Sequence, residues 1–331
     1  MKNGTMKETE GLVARAQGCL LGQLTGDALG ALAEFAGPRE LLQHYPNGLR
    51  EIVDGGAYNT IAGQPTDDSE MALVLAATLA GRKTYSEEHA MAAYRWWWES
   101  EPFDYGRTIM SAMLNMHDHE SQANGALMRI SPLGIFCSRH SLADAARWAK
   151  DDAALTHPHP IVGQANALFV MAIAHAVKKG PAPAKLYREL LGWMDTMDID
   201  PKLASAVRNA AAAPPENYGH PVEGWVLVAL QNAFYQLLHA ESLEEGVVDT
   251  LMQGGDTDTN AAVCGALLGA VYGIDAIPEQ WKAAVLNCRP EAGMPGVHHP
   301  RPKELWPQGA LELAEGLVTV KRGRVDTMVV Q

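Results

Sequence analysis

Apolar residues recur at helical spacing in six long segments of this chain, and that pattern limits the folds open to it. The segments are residues 10–35, 68–81, 86–100, 141–155, 161–180 and 223–240. Alanine, leucine and methionine favour helices and are abundant in them, whereas runs of alternating β-branched residues are few. Only residues 49–55 and 316–325 could form short strands. We therefore predict an all-α fold.

Glycines are spaced four residues apart in two predicted helices. They are Gly18, Gly22 and Gly26 in one, and Gly265, Gly269 and Gly273 in the other. Residues four apart share a helix face, and glycine inside a helix costs about 0.5–1 kcal/mol relative to alanine. Close packing of another helix on each glycine face is the interpretation we favour. Close approach of a ligand is the alternative.

Length and composition predict one large globular domain. The chain has 331 residues, 47% of them hydrophobic. A prior of about 150 residues per domain suggests two domains, but no Ser/Gly-rich linker or charge block divides the chain. We predict a flexible N-terminus over residues 1–10, a single compact domain over 11–315 and a C-terminal tail over 316–331.

The net charge and the cysteine pattern limit the classes of partner and the cellular compartment that we expect for this protein. Lys+Arg total 26 and Asp+Glu 39, a net charge of −13 that disfavours extended nucleic-acid binding. The N-terminus lacks the apolar segment of a secretory signal, and the apolar run 161–177 is too short and too polar to span a bilayer. The four cysteines form no CxxC pair, which favours free thiols in a reducing compartment. We expect a soluble cytoplasmic protein without a membrane partner.

Two acidic clusters each open a helix of small apolar residues: "PTDDS" at 65–69 and "GGDTDTN" at 254–260. One Asp or Thr is enough to cap a helix. A second carboxylate is repelled by the first, and the roughly half positive charge of a helix N-terminus does not neutralise both. Carboxylate and hydroxyl oxygens suit Mg²⁺, Mn²⁺ or Ca²⁺ rather than zinc. If the clusters converge, two cations could be held by Thr66, Asp67, Asp68, Asp256, Asp258 and Thr259.

Other interpretations of the acidic and histidine-rich segments are weaker. "DTDTN" is similar to the opening of aspartate-nucleophile phosphatases, but that motif requires a preceding hydrophobic strand. "HDHE" at 117–120 and "THPHP" at 156–160 lack the paired ligands that would complete a tetrahedral zinc site. A looser third acidic segment, "TGDALGALAEF", places Asp27 and Glu34 about two helical turns apart.

Four segments resemble the ADP-ribosylglycohydrolase family. They are "GCLLGQLTGDALGALAEF", "PTDDSEMALVLA", "NGALMRISPLGIF" and "GGDTDTNAAVCGALLGAVYG", in family order within about residues 11–290. The resemblance implies an all-helical fold with a dinuclear Mg²⁺ or Mn²⁺ centre at the base of a cleft. It also implies that the six oxygen-donor residues named above are the metal ligands.

The same resemblance implies hydrolysis of ADP-ribose from a modified side chain, by cleavage at the anomeric carbon of the distal ribose. Asp104, in "EPFDYGRT", resembles the aspartate assigned to catalysis in bacterial enzymes that act on ADP-ribosylarginine. Glu34 matches the glutamate proposed for hydrolases of ADP-ribosylserine. Without the family, Asp104 could be a turn former and Glu34 a helix-surface acid.

Further residues fit substrate binding in the family pattern. The "NGALMR" loop resembles one whose backbone amides meet the diphosphate, although its arginine could be a structural ion-pair residue. A histidine at the cleft and an aromatic residue near the adenine complete the pattern, and core packing is the alternative for both. The predicted substrate-binding residues are Asn124, Gly125, Met128, Arg129, His157 and Trp225.

We predict a metal-dependent hydrolase that reverses protein mono-ADP-ribosylation, with arginine as acceptor and ADP-ribose as product. One alternative is hydrolysis of ADP-ribosylserine, a modified base or a small ADP-ribosyl metabolite. Another is an ADP-ribose-binding protein that neutralises a toxin. A protein that only binds would be expected to have lost metal ligands, and all six are present.

Overall fold

The computed structural model describes the backbone of residues 2–319 and the side chains of residues 8–319. This part of the chain contains fifteen α-helices. They are α1 (Lys2–Gly30), α2 (Pro38–His44), α3 (Asp67–Arg82), α4 (Glu87–Glu99), α5 (Arg107–Met113), α6 (Ser131–Cys137), α7 (Leu142–Ala154), α8 (Pro160–Lys179), α9 (Pro183–Met194), α10 (Pro201–Asn209), α11 (Val226–His239), α12 (Leu243–Leu251), α13 (Thr257–Tyr272), α14 (Glu279–Asn287) and α15 (Ala310–Val318).

The all-α prediction is confirmed, and each of the six periodic segments forms a helix. The possible strand at 49–55 is wrong: this stretch is irregular and makes one isolated bridge, from Gly55 to Thr60. Of the other possible strand, residues 316–318 end α15 and residues 320–325 lie outside the described residues. The backbone of residues 2–10 continues α1 as helix.

Helices α1 and α13 pack with their backbones in direct contact along the glycine faces. A Cβ added at Gly22 would overlap the carbonyl oxygen of Gly265, and one at Gly265 would overlap that of Gly22. Gly18 meets Gly269 in the same way. The close-packing interpretation is therefore confirmed. We call this contact the glycine seam.

The glycine seam differs from the prediction at both of its ends. Gly273 follows the last residue of α13 with φ of +80° and is therefore not part of the helix, although its backbone still packs against Gly18. Gly30 extends the series in α1, and a Cβ there would lie 2.5 Å from the Cα of Asp258. The seam thus brings the end of α1 against the first turn of α13.

Helix α1 ends at Gly30, earlier than the apolar pattern suggests. Residues 31–35 form turns, and Phe35 has φ of +64°. Glu34 therefore lies on a turn rather than two helical turns along α1 from Asp27. Phe35 donates its N–H to the carbonyl of Gly255, which ties this turn to the segment before α13.

Helix α8 is an apolar core element. It is the one helix in the described part of the chain that is long and apolar enough to cross a membrane. However, 78% of its apolar span is buried within the protein. It packs mainly against α6, α7 and α13. Burial of this kind is typical of a central helix in a large helical domain.

Candidate active site

The first turns of α3 and α13 lie together, although they are far apart in the sequence. The Thr259 Oγ1 donates to Asp68 Oδ2 at 3.4 Å and links the two clusters across 191 positions. The N-cap residues Thr66 and Asp256 make no side-chain capping bond to their own helices. Their side chains therefore have a purpose other than capping. The two clusters therefore converge, which is the condition that the sequence analysis set for a shared metal site.

Helix α3 is capped by a residue from another helix, Asp27 of α1. Its carboxylate accepts from the backbone N–H of Thr66 at 3.2 Å, from that of Ser69 at 3.1 Å and from the Thr66 Oγ1 at 2.9 Å. Burial raises the pKa of Asp27 to about 7. The sequence drew attention to Asp27 but gave it no role. Because its partners lie about 40 positions away, only a search for buried acids near the acidic helix starts could have found it.

Three carboxylates from different segments converge beside these helix starts. One oxygen each from Glu34, Asp104 and Asp258 lie within 4.8 Å of one another. The Tyr58 Oη donates to Glu34 Oε1 at 3.3 Å. Burial, followed by repulsion from Asp104, raises the pKa of Glu34 to about 8. Both predicted catalytic acids therefore lie in one cluster, and Tyr58 is a member that the sequence did not indicate.

We call the carboxylates that lie together here the acidic cluster: Glu34, Asp67, Asp68, Asp104, Asp256 and Asp258. Several of its properties favour the binding of a divalent cation. Asp68 Oδ1 and Glu34 Oε2 are buried without a hydrogen-bond partner among the described residues, and such unpaired polar atoms are costly. Burial is the first cause that raises the pKa of Asp67, Asp68 and Asp258, and repulsion from neighbouring carboxylates is the next. All atoms that the cluster offers as metal ligands are oxygens, the ligand type that Mg²⁺ and Mn²⁺ prefer. The residues present therefore fit a divalent cation.

A cleft of about 340 Å³ opens over the acidic cluster. Four of the predicted substrate-binding residues line it: Asn124, Gly125, Met128 and His157. The sequence analysis did not single out several other lining residues, among them Phe35, Tyr58, Arg107, Ile109 and Glu223. Of the predicted ligands, Thr66 does not line this cleft; its hydroxyl contacts Asp27 at 2.9 Å and Asp68 at 3.3 Å.

The loop that carries Asn124 is fixed against the acidic cluster. Asn124 Nδ2 donates to Asp256 Oδ2 at 2.7 Å, and its N–H donates to the carbonyl of Gly224 at 2.9 Å. A Cβ at Gly125 would lie 3.0 Å from the His157 ring, so glycine leaves the backbone exposed to a ligand. Burial lowers the pKa of His157 to about 3, which keeps its imidazole neutral.

The structure does not bring Arg129 and Trp225 into this cleft. Arg129 is fully buried, pairs with Asp152 at 3.4 Å and lies 4.1 Å over the Tyr94 ring, so its guanidinium is committed to the core. Trp225 donates its Nε1–H to Gln122 Oε1 at 3.0 Å and lines a neighbouring cavity. Arg129 is thus the structural ion-pair residue that the sequence analysis gave as its alternative, whereas the stacking of Trp225 on an adenine stays a prediction. The sequence could not tell an inward from an outward orientation at either position.

Comparison with known proteins identifies the family to which the chain is similar. The profile of the ADP-ribosylglycohydrolase family matches residues 8–323. The ADP-ribosyl-[dinitrogen reductase] glycohydrolase of Rhodospirillum rubrum is 31% identical over 81% of this chain and 88% of its own length. The ADP-ribosylarginine hydrolase Tri1 of Pseudomonas putida (strain GB-1) is 28% identical over 81% of this chain and 73% of its own.

More distant relatives extend this comparison. Human ADP-ribosylhydrolase ARH3 is 24% identical over 82% of this chain and 88% of its own length. A solved structure described as an ADP-ribosylglycohydrolase-related protein complex is 26% identical, with a TM-score of 0.75 over 93% of this chain and 98% of that chain. On its sequence and its fold, the chain belongs to the ADP-ribosylglycohydrolase family.

Proposed function

We propose that this protein is a divalent-cation-dependent hydrolase that releases ADP-ribose from mono-ADP-ribosylated arginine side chains. Family membership and the names of the relatives indicate ADP-ribosyl glycohydrolase activity. The observation that carries the proposal is the convergence of Glu34, Asp104 and Asp258 within 4.8 Å at the base of the cleft. Arginine as the acceptor is supported by relatives named for that activity.

The two acidic helix starts would hold two cations, Mg²⁺ or Mn²⁺. The proposed ligands are Thr66, Asp67, Asp68, Asp256, Asp258 and Thr259. Bound cations would supply fixed positive charge that chelates the hydroxyls of a ribose and orients its anomeric carbon. Carboxylates in the cleft outside the proposed ligand set, Glu34 and Asp104, would place negative charge near the reacting carbon and stabilise an oxocarbenium-like transition state.

Asp104 is the proposed general base. Its carboxylate would orient a water molecule and accept its proton as the water oxygen bonds to the anomeric carbon. The carbon–nitrogen bond to the guanidine breaks in the same reaction, and the departing nitrogen takes up a proton. The products are ADP-ribose and an unmodified arginine side chain.

We assign the diphosphate of the substrate to the part of the cleft lined by Gly125 and His157. Gly125 permits close approach of its backbone to a diphosphate, and the neutral His157 could donate a hydrogen bond there. Arg129 has no direct part in this binding, since it pairs with Asp152 in the core. The free, buried cysteines support a reducing, cytoplasmic compartment.

Release of free ADP-ribose from arginine-modified and serine-modified proteins tests the proposal directly. Each substrate is assayed with Mg²⁺, with Mn²⁺ and with a chelator. We expect release from arginine alone, and loss of that release when the chelator is present. Release from serine instead would make Glu34 the leading catalytic acid. Binding of ADP-ribose in the presence of metal without release from either protein would contradict the proposed function and leave an ADP-ribose-binding protein or a hydrolase of another substrate.

A further inference from the structure

The loop between α4 and α5, residues 100–106, carries Asp104 and is called the catalytic loop or Asp104 loop below. A segment distant in sequence lies against this loop. Residues 296–302, "GVHHPRP", lie between α14 and α15 and form no helix. We call this segment the strap. It contacts the two segments that carry Asp104 and Tyr58, although neither of those residues is within 190 positions of it. The contacts come from two side chains, Arg301 and His299.

Arg301 joins the start of α3 to the first residues of the Asp104 loop. It is 6% exposed, and its Nε and Nη2 donate to the two carboxylate oxygens of Glu70 at 2.8 and 2.9 Å. Its Nη1 donates to the carbonyls of Ser100 and Glu101 at 2.8 and 3.0 Å. Glu70 belongs to the same first turn of α3 as Asp67. One guanidinium therefore fixes the distance between a proposed metal ligand and the catalytic loop.

The residue type at 301 matters for this geometry. A planar guanidinium offers five donors in a fixed arrangement, whereas a lysine ammonium is a single point of charge. Glu70 also accepts from Trp97 Nε1 at 2.8 Å, so its carboxylate is held from a second side. Buried ion pairs contribute little net stability against apolar replacements. A positioning role gives this pair a purpose that stability alone does not.

His299 holds the next part of the catalytic loop. Its ring stacks on Phe103, which precedes Asp104, with centroids 4.5 Å apart and planes inclined by 24°. Its Nε2–H donates to the carbonyl of Tyr58 at 2.8 Å. The carbonyl of His299 in turn accepts from Gln64 Nε2 at 2.6 Å. His299 therefore touches both the loop of Asp104 and the residue whose hydroxyl bonds Glu34.

We infer that the strap is a positioning element of the active site, in which Arg301 and His299 hold Asp104 and Tyr58 at their working distances. This inference rests on the proposed function, which assigns proton transfer to Asp104. Arg301 and His299 do not line the cleft and are positioning residues rather than catalytic ones. A displacement of about 1 Å at a reacting group can cost about 10²-fold in rate.

Two substitutions remove the strap contacts while keeping part of each side chain. Arg301→Lys keeps a positive charge for Glu70 but loses the paired bonds to the two carbonyls. His299→Phe keeps the ring on Phe103 but loses the bond to Tyr58. We expect kcat to fall by about tenfold in Arg301→Lys, equivalent to about 1.4 kcal/mol, with KM and ADP-ribose affinity unchanged. We expect His299→Phe to show a smaller fall in kcat.

The matched control is Tyr94→Phe. Tyr94 lies on α4, the helix that also carries Trp97, and its hydroxyl donates a buried hydrogen bond to Asp152 of α7. The variant removes this bond and leaves the strap contacts intact. Its thermal stability should fall to a similar extent as in Arg301→Lys, with kcat unchanged. If the strap variants lose stability but keep wild-type kcat, or if they lose ADP-ribose affinity instead, the strap is merely structural.

Crystal structures of the wild type and Arg301→Lys give a readout that does not depend on activity. We expect the Asp104 carboxylate to shift by about 0.5 Å, less than the displacement that costs about 10²-fold, while Asn124 and Gly125 stay in place. An unmoved Asp104 would contradict the inference, even if the wild type releases no ADP-ribose. Absence of release by the wild type, with Asp104 displaced in the variant, would overturn the proposed function alone.

Discussion

The two sides of the cleft are held in place by different means. On one side, the glycine seam between α1 and α13 joins backbone to backbone and sets Asp258 against Gly30. On the other, the Asp104 loop is held by side chains of the strap, one of which is anchored on Glu70 of α3. Backbone contact leaves no room for even one methyl group, whereas side-chain contacts can be weakened step by step. The seam side should therefore respond sharply to substitution and the loop side gradually.

The largest effect is expected from Asp256→Ala on the seam side. This variant removes a proposed metal ligand, and with it the partner of Asn124 Nδ2. We expect metal binding and turnover to be lost together, a loss of at least about 10³-fold or roughly 4 kcal/mol. Calorimetric titration with Mn²⁺ and the ADP-ribose release assay measure the two losses.

Asp275→Ala is the control for this variant, since Asp275 is an exposed acid beyond the far end of α13. It should behave as the wild type in both measurements. Near-normal turnover in Asp256→Ala would show that the metal-site assignment is wrong.

On the loop side, Asp104→Asn keeps the shape of the side chain and removes its ability to accept a proton. We expect kcat on arginine-modified protein to fall by about 10²- to 10³-fold, the usual contribution of a general base. Binding of Mn²⁺ should persist, because the acidic helix starts remain. Steady-state kinetics and metal titration together check this result.

Glu34→Gln is the informative comparison for Asp104→Asn. A greater loss of kcat in Glu34→Gln than in Asp104→Asn would reverse the assignment of the two acids. Equal losses would indicate that the carboxylates act as one unit.

A substitution within the glycine seam should lower stability rather than catalysis alone. In Gly265→Ala the added Cβ meets the carbonyl of Gly22, so the helices must separate. We expect the free energy of unfolding to fall by about 1–3 kcal/mol or more. Chemical denaturation monitored by circular dichroism measures the change, and wild-type stability in this variant would contradict the tight seam.

The smallest effect, of opposite sign, is expected from Gly192→Ala. Gly192 lies in α9, and a Cβ there would meet no atom within 4 Å. Removing glycine flexibility from the unfolded chain should stabilise the protein by about 0.4–1 kcal/mol. The same denaturation experiment compares the two glycines. Destabilisation by Gly192→Ala would contradict the view that the helix–helix contact at a glycine determines how its replacement by alanine changes stability.

The sequence by itself determined the helices, the glycine faces and the two acidic helix starts. These features depend on residues a few positions apart, so periodicity and capping patterns expose them. The approach of Asp68 to Thr259 was left open by the sequence, which offered only surplus carboxylates at two helix starts as a reason for the clusters to meet. The two candidate catalytic acids, Asp104 and Glu34, came from the family resemblance, and the structure places both in one cluster.

Only the tertiary structure decided which distant residues support that site. Asp27 caps a helix other than its own, Arg301 reaches Glu70 across 231 positions, and Arg129 turns into the core toward Asp152. Each of these outcomes depends on how helices pack, and a side chain's neighbours across a packing interface leave no local pattern. The chemistry of the cleft is therefore encoded in short motifs, whereas its geometry is a property of the assembled fold.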